Sequence, residues 1–264
     1  MRLVLVPTPI GNLEDITLRA LRVLSEAEVV ACEDTRRTGI LLAHYDITTP
    51  RIHFDQHMSP QAPTILSRYE YLAYASDAGT PGISDPGAEL VRAAIAMGAE
   101  IEVLPGATAL IPALVASGFP TARFEFEGFL PQKRSERLSR IRAMAQSSKT
   151  VLLYEAPHRL RETLTELAEI YGPEHPVSVA REISKLHEEH FRGSLAEARE
   201  HFTSPRGELV LVLAPREAPA AEPSALAAEL RAQGLVGREL MTALVAAGVS
   251  RNQAYVLSHS DSLP

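Results

Sequence analysis

Short apolar runs alternate with helical patterns through about the first 120 residues of this chain. The apolar runs cover residues 3–6, 29–32, 71–75 and 101–104, and helical periodicity covers 17–26 and 87–97. A strand followed by a helix usually returns as a parallel neighbour of the first strand, so this alternation predicts a mostly parallel sheet with crossover helices. We therefore expect an α/β protein.

A polar or glycine-rich loop follows each apolar run. These loops cover residues 7–12, 33–37, 76–87 and 105–109. In an open α/β sheet, ligands bind at the carboxyl ends of the strands. The third loop places glycines and prolines between aspartates and adds Thr80 and Ser84, a composition suited to close backbone approach and hydrogen bonding. The four loops are therefore expected to line one cleft.

The alternation breaks at residues 118–131, which are rich in glycine, proline and phenylalanine. A basic helix and a second series of strand and helix patterns follow, with strands at 150–154, 177–180 and 208–214 and a helix at 160–171. We predict an α/β domain at 1–118, a second at 119–216, a linker at 217–223 and a small helical domain at 224–264. The last segment fits a helix-turn-helix and a packed helical hairpin equally well.

Composition narrows the classes of function. The formal net charge of the 264 residues is −7, so an RNA contact would need local basic patches. No apolar stretch approaches the roughly 20 residues that span a bilayer, and no signal-peptide pattern is present, which predicts a cytoplasmic protein without membrane contact. Cys32 is the only cysteine, no cluster has zinc spacing, and neither a P-loop nor a G-x-G-x-x-G motif occurs. No metal site is expected.

Charged groups follow three of the strand-like runs. They are Glu33 and Asp34 with Arg36 and Arg37, Glu155 with His158 and Arg159, and Glu182 with Lys185. A carboxylate beside an imidazole, an ammonium or a guanidinium suits proton transfer or phosphate binding. A helix cap or a salt bridge would leave the same pattern, and both interpretations stay open.

The basic helix carries Lys133, Arg134, Arg137 and Arg140. The spacing of Lys133, Arg137 and Arg140 places three cations on one helical face. This face is either a solvated surface or a phosphate contact.

Several longer motifs occur together in one order. They are PTPIGNLEDIT at 7–17, EDTR at 33–36, SDAGTPGISDPG at 76–87, YEAPHR at 154–159 and ARE at 180–182. The combination resembles the ribosomal RNA small subunit methyltransferase I family, a branch of the tetrapyrrole methylase superfamily, over residues 1–216 and the tail. The resemblance implies the two-domain fold of the class III S-adenosylmethionine methyltransferases with a small C-terminal helical domain. It also implies a homodimer.

The resemblance further implies that S-adenosylmethionine binds in the cleft between the two α/β domains. Carried over residue by residue, the motifs that surround the cofactor match Thr8, Pro9, Ile10, Gly11, Asp77, Gly79, Thr80, Ile83, Ser84, Ala107, Thr108, Tyr154, Glu155 and Ala180. Porphyrin-type members have a glycine-rich first loop that ends in aspartate, whereas this chain has PIGN at 9–12. This departure favours the rRNA branch.

The implied reaction is 2′-O-methylation of a cytidine ribose in the decoding region of 16S rRNA, as naked RNA or within the 30S subunit. A base that removes the hydroxyl proton would help, and Asp34, Glu155 and Glu182 are the carboxylate candidates, with His158 or Lys185 next. Candidate RNA contacts are Arg36, Arg37, Lys133, Arg134, Arg137, His158, Arg159 and Lys185. Two alternatives remain: a methyltransferase acting on a tetrapyrrole or another small molecule, and a non-enzymatic RNA-binding assembly factor.

Overall fold

The computed structural model describes residues 1–216 and 223–259. The chain divides into two compact units, one made of residues 1–145 and 149–215 and the other of residues 146–148 and 216–264. The first unit contains two five-stranded sheets, and the second contains helices. The domain boundary proposed at residue 118 falls between these two sheets, which belong to the same compact unit.

The first sheet is entirely parallel. Its strands are β1 (Arg2–Val6), β2 (Val29–Cys32), β3 (Arg51–His53), β4 (Tyr71–Ala75) and β5 (Glu100–Val103), in the order β3-β2-β4-β1-β5. The central strand β4 pairs with β1 and β2, and Ala73 lies opposite Val4 and Val30. The loop after β4 therefore begins at the middle of the carboxyl edge of the sheet.

Helices connect these strands. They are α1 (Leu18–Glu26), α2 (Thr35–His44), α3 (Ala62–Leu66), α4 (Gly87–Ala96) and α5 (Leu110–Ser117), with 3₁₀ turns at Leu13–Asp15 and Gln56–Gln61. Thr17 caps α1 by accepting a hydrogen bond from the Ala20 N–H, and Asp34 caps α2. Both caps satisfy N–H groups that have no partner within the helix.

The second sheet is mixed. Its strands are β6 (Phe124–Phe129), β7 (Thr150–Glu155), β8 (Pro176–Arg181), β9 (Glu189–Ser194) and β10 (Leu209–Leu213), in the order β6-β7-β10-β8-β9. Only β6 and β7 pair in parallel, and the other neighbouring strands are antiparallel. The helices of this region are α6 (Arg134–Met144), α7 (Leu160–Tyr171) and α8 (Leu195–His201).

Helix α5 ties the two sheets into one unit. It follows β5 of the first sheet, yet its Ala113 and Leu114 pack in one buried cluster with Leu152 and Val210 of the second. The opposite face of the second sheet has its own core with α6, α7 and α8. Apolar burial is the main favourable term in folding, so this shared cluster stabilises the two sheets jointly.

The second unit contains α9 (Pro223–Ala232), α10 (Gly237–Ala246) and α11 (Arg251–His259). Its core is formed by Ala227, Leu240, Leu244 and Ala254. Gly248 lies in the break between α10 and α11, and another break separates α9 from α10. Residues 217–222 of the proposed linker lie outside the described residues, and Pro223 already begins α9.

The α/β class and the strands of the apolar runs are confirmed. Three strands were not predicted, namely β3, β6 and β9, because each is at a sheet edge and keeps partly exposed side chains. Within residues 1–216 and 223–259, no helix is long and apolar enough to cross a membrane.

Candidate functional site

Three loops at the carboxyl edge of the first sheet are hydrogen-bonded to one another. Thr8 and Gly79 exchange backbone hydrogen bonds, with the Thr8 N–H donating at 3.0 Å and the Gly79 N–H at 2.9 Å. The buried Thr8 hydroxyl donates to the Ser76 carbonyl at 2.8 Å. The Thr80 hydroxyl donates to the Ala107 carbonyl at 3.1 Å. The loops after β1, β4 and β5 therefore form one connected wall.

Two glycines allow this close approach. Gly79 has φ of +81°, a left-handed conformation that side chains rarely adopt. A Cβ at Gly106 would lie 2.6 Å from the Pro7 Cβ. The backbone at Gly79 therefore pairs directly with Thr8, and the backbone at Gly106 lies against the Pro7 ring.

Asp85 fixes the far end of the loop after β4. One of its carboxylate oxygens accepts from the Gly82 N–H at 2.8 Å and from the Gly87 N–H at 2.7 Å. Burial raises the pKa of Asp85, and the two N–H bonds oppose that rise. Oδ1 of Asp85 therefore holds the loop in place.

A cleft of about 420 Å³ lies between the two sheets. The first sheet contributes loop residues such as Ile10, Asp77 and Ser84, and the second contributes Tyr154 and Leu209. Phe129 packs against the Tyr154 ring at 5.6 Å between centroids. Apolar walls with a few polar groups are typical of small-molecule sites.

The structure brings most of the predicted cofactor residues together in this cleft. Those that line it are Ile10, Asp77, Gly79, Thr80, Ile83, Ser84, Thr108, Tyr154 and Glu155. The other five predicted residues flank the cleft. Thr8 and Ala107 form hydrogen bonds that join the loops, and Pro9 and Gly11 lie beside Ile10 in the chain. Ala180 is buried in the second sheet. Their role in binding stays a prediction.

The three candidate carboxylates are all engaged in other interactions. Asp34 accepts from the Arg36 N–H at 2.9 Å as the cap of α2, and the Arg36 side chain lowers the pKa of Asp34. Glu155 is buried and accepts from the Thr163 hydroxyl at 2.5 Å and from the Ala156 N–H at 2.8 Å. These two carboxylates therefore have structural roles in the fold.

Glu182 belongs to a separate cluster beside the cleft. Its carboxylate accepts from the Lys185 ammonium at 2.7 Å and from the Glu208 N–H at 2.9 Å. Burial acts to raise the pKa of Glu182, but these donors outweigh it, and the pKa is lowered overall. Lys185 also donates to the Glu208 carboxylate at 3.1 Å, and its side chain lies against Gly11.

The predicted RNA contacts separate into exposed and buried groups. Arg37 lines the cleft, and the Arg36 side chain is 90% exposed. Lys133 and Arg134 are exposed at the start of α6 but pair with Glu136 and Glu166. His158 is exposed at the end of β7.

The structure differs from the prediction at two arginines. The Arg137 side chain is only 4% exposed and bonds to Glu166 at 2.5 Å and to Glu162 at 2.5 Å. Arg159 donates to the Leu130 carbonyl at 3.0 Å. Arg137 therefore joins α6 to α7 instead of facing solvent, which leaves its guanidinium covered, and the RNA contact stays an untested prediction.

Sequence reasoning named Glu33 in the loop after β2 but did not select it as a site residue. The structure shows that Glu33, directly after β2, lines the cleft. Glu33 is an exposed residue, but its partial desolvation raises its pKa, and the charges of Asp77, Asp85 and Asp55 add to the rise. The position of Glu33 at a strand end was the sequence signal for it, whereas Phe129 and Leu209 were missed because they had no local signal.

Comparison with known proteins gives a consistent result. The sequence model of the family described as Tetrapyrrole (Corrin/Porphyrin) Methylases matches residues 2–199. A protein named Ribosomal RNA small subunit methyltransferase I from Synechocystis is 45% identical over 96% of this chain and 90% of its own length. One with the same name from Pseudomonas aeruginosa is 43% identical over 96% of this chain and 95% of its own length.

Solved structures share the fold. Uroporphyrin-III C-methyl transferase from Thermus thermophilus, complexed with S-adenosyl homocysteine, has a TM-score of 0.60 at 23% identity, covering 81% of this chain and 97% of that one. A diphthine synthase has a TM-score of 0.61 at 14% identity, covering 81% of this chain and 90% of that one.

Proposed function

Because this chain belongs to the tetrapyrrole methylase family, we propose that it transfers a methyl group from S-adenosylmethionine to ribosomal RNA. The observation that supports RNA as the methyl acceptor is the 45% identity, over nearly the whole chain, to a relative named as an rRNA methyltransferase. The finer proposal is that the acceptor is the ribose 2′-hydroxyl of a cytidine in the decoding region of 16S rRNA.

The cleft has the chemistry that S-adenosylmethionine requires. Its volume of about 420 Å³ lies within the usual range for small-molecule sites. Ile10, Ile83 and Tyr154 offer apolar surface for an adenine ring, and the hydroxyls of Ser84 and Thr108 offer hydrogen bonds. The carboxylate of Asp77 favours a ligand that carries positive charge.

When bound, S-adenosylmethionine supplies an activated methyl group. The protein then has to align the acceptor oxygen with that group and keep water out, and alignment alone can contribute much of the rate enhancement. The connected loops around Thr8, Gly79 and Ala107 provide a rigid wall for this purpose. Phe129 and Ile183 of the second sheet add an apolar wall that excludes water.

Exposed cations near the cleft support an RNA acceptor. Arg36 and Arg37 begin α2 beside it, and guanidinium groups bind phosphate with paired hydrogen bonds. The net charge of −7 keeps general affinity for RNA low, which favours a folded 30S subunit over naked RNA. Such a substrate places the enzyme in the cytoplasm.

The solved methyltransferases for porphyrins share the fold only, at identities of 22–23%. The similarity to these structures is weaker support for a small-molecule acceptor than the similarity to the rRNA methyltransferases is for an RNA acceptor.

We also propose a homodimer, which sedimentation equilibrium of the purified chain tests directly. A monomer at all concentrations would contradict it.

The test of function is methyl transfer to 30S subunits prepared from cells that lack this enzyme. Radiolabelled S-adenosylmethionine supplies the methyl group, and nuclease mapping locates the label. We expect label on a ribose of a decoding-region cytidine in 16S rRNA. Cofactor binding without label on RNA, together with methylation of a porphyrin, would establish the small-molecule alternative.

A further inference from the structure

Glu33 and Arg37 stand together on one wall of the cleft. Glu33 directly follows β2, and Arg37 lies in the first turn of α2. Both line the cleft, on the same side as Asp77. A carboxylate and a guanidinium thus face the space in which an acceptor would lie.

The backbone beside Glu33 is held on both sides. The N–H of Asp34 donates to the Asp77 carboxylate at 2.9 Å. The His53 ring bonds to the Glu33 carbonyl at 2.8 Å. The Glu33 side chain therefore extends from a fixed point, which a group that must meet a reacting atom needs.

Glu33 differs from the other carboxylates of the cleft. Glu155 is held by Thr163, Asp85 by two backbone N–H groups, and Glu208 by Lys185. Within residues 1–216 and 223–259, no hydrogen bond to the Glu33 carboxylate is formed. This carboxylate has full capacity to accept a proton from a ligand.

The charges around Glu33 favour this role. Partial desolvation and the carboxylates of Asp77, Asp85 and Asp55 raise its pKa, while the His53 ring acts in the opposite direction. Arg37, on α2, is a cation that lines the same cleft. A base whose pKa is raised towards the working pH removes a proton more effectively than an ordinary carboxylate.

We propose that Glu33 accepts the proton of the acceptor ribose hydroxyl and that Arg37 binds the phosphate next to it. This proposal rests on the proposed function. In RNA the 2′-hydroxyl is adjacent to the 3′-phosphate, so one substrate offers both groups to this pair. The oxygen–methyl bond forms as the methyl–sulfur bond breaks, the electron pair of that bond goes to sulfur, and the hydroxyl proton goes to Glu33. Solvent then takes this proton, which restores the carboxylate.

The test of Glu33 compares Glu33→Gln and Glu33→Asp with the wild type, using 30S subunits as substrate. General base catalysis contributes roughly 100-fold or more, so we expect Glu33→Gln to lower kcat by about that factor. Glu33→Asp should recover part of the loss. The wild-type kcat/KM should rise with pH through the raised pKa of Glu33, and Glu33→Gln should lack this rise. Calorimetric affinity for S-adenosylhomocysteine should stay unchanged.

The test of Arg37 uses Arg37→Ala. We expect the KM for 30S subunits to rise about tenfold with kcat nearly unchanged, and the slope of log affinity against log salt to fall by about one. Glu26→Gln and Arg22→Ala are matched controls, since both residues form an exposed pair on α1 away from the cleft. Both controls should behave as the wild type.

The outcomes separate the two proposals. If the wild type labels no RNA, the proposed function fails. If the wild type labels RNA and Glu33→Gln keeps its kcat and its pH profile, the role of Glu33 is wrong. A Glu33→Gln variant that melts like the wild type but loses S-adenosylhomocysteine binding would also overturn it, since Glu33 would then hold the cofactor.

Discussion

At the scale of single residues, the site depends on where side chains are missing. The Pro7 ring lies close to Gly106. A Cβ added at Gly106 would lie 2.6 Å from one ring atom and 3.0 Å from another. A proline ring cannot rotate away, so the backbone of one loop would have to move. The loops after β1 and β5 therefore keep their spacing only with glycine at this position.

We predict that Gly106→Ala weakens S-adenosylhomocysteine binding by about tenfold and destabilises the protein by about 1–3 kcal/mol, because the added methyl overpacks a rigid contact. Titration calorimetry and urea unfolding measure the two effects. Gly39→Ala is the control, since its Cβ would meet only the movable Arg51 guanidinium and it lies within α2. Equal affinity in Gly106→Ala and the wild type would contradict the prediction.

At the scale of elements, α6 is attached to α7 by a buried ion pair. The side chains of Arg137 and Glu166 are 4% and 3% exposed. Arg137 also donates to the Gln132 carbonyl at 2.9 Å, and Arg134 reaches the other oxygen of Glu166 at 3.0 Å. A buried pair that is satisfied in this way fixes how two helices meet, and removing one partner leaves a charge without compensation.

We predict that Arg137→Met destabilises the protein by about 3–5 kcal/mol, since Glu166 stays buried without its main partner. Urea unfolding of the full chain measures the loss. Arg142→Ala, an exposed arginine on the same helix, should change stability by less than about 0.5 kcal/mol. Similar losses in both variants would show that burial of Arg137 is not the cause.

The same pair makes stability depend on pH. Arg137 lowers the pKa of Glu166 in the folded state, with Arg134 adding to the effect. A lowered carboxyl pKa contributes stability above its unfolded pKa, and this contribution is lost as pH falls through the folded value. We predict that the difference between wild type and Arg137→Met shrinks from about pH 7 to about pH 3 in urea unfolding. A constant difference would contradict this prediction.

At the scale of the whole molecule, the cleft exists only because two sheets share one unit. Ile10 and Asp77 come from the first sheet, and Tyr154 and Leu209 come from the second. A ligand that contacts both walls binds the folded unit and has no site on the unfolded chain. Its binding therefore stabilises both sheets together.

We predict that S-adenosylhomocysteine at about 100 times its Kd stabilises the protein by about 2.7 kcal/mol and raises the calorimetric Tm by about 5–10 °C. ATP at the same concentration should give no shift, because the carboxylates of Glu33 and Asp77 repel its phosphates. No shift with S-adenosylhomocysteine, or an equal shift with ATP, would contradict the assignment of the cleft.

The sequence by itself determined the parallel sheet and the edge at which the ligand loops lie. Periodicity is local, so the runs at 29–32 and 71–75 could be read as strands without any tertiary information. In a parallel sheet all carboxyl ends share one edge, so the loops at 33–37 and 76–87 were expected to meet.

Only the tertiary structure decided which charged groups were available. Arg137 and Arg134 look alike in the sequence, yet one is buried against α7 and the other is exposed. The Glu155 carboxylate accepts a hydrogen bond from Thr163, whereas the Glu33 carboxylate accepts none from the residues that the structure describes. These differences depend on contacts between residues far apart in the chain, and local patterns carry no information about such contacts.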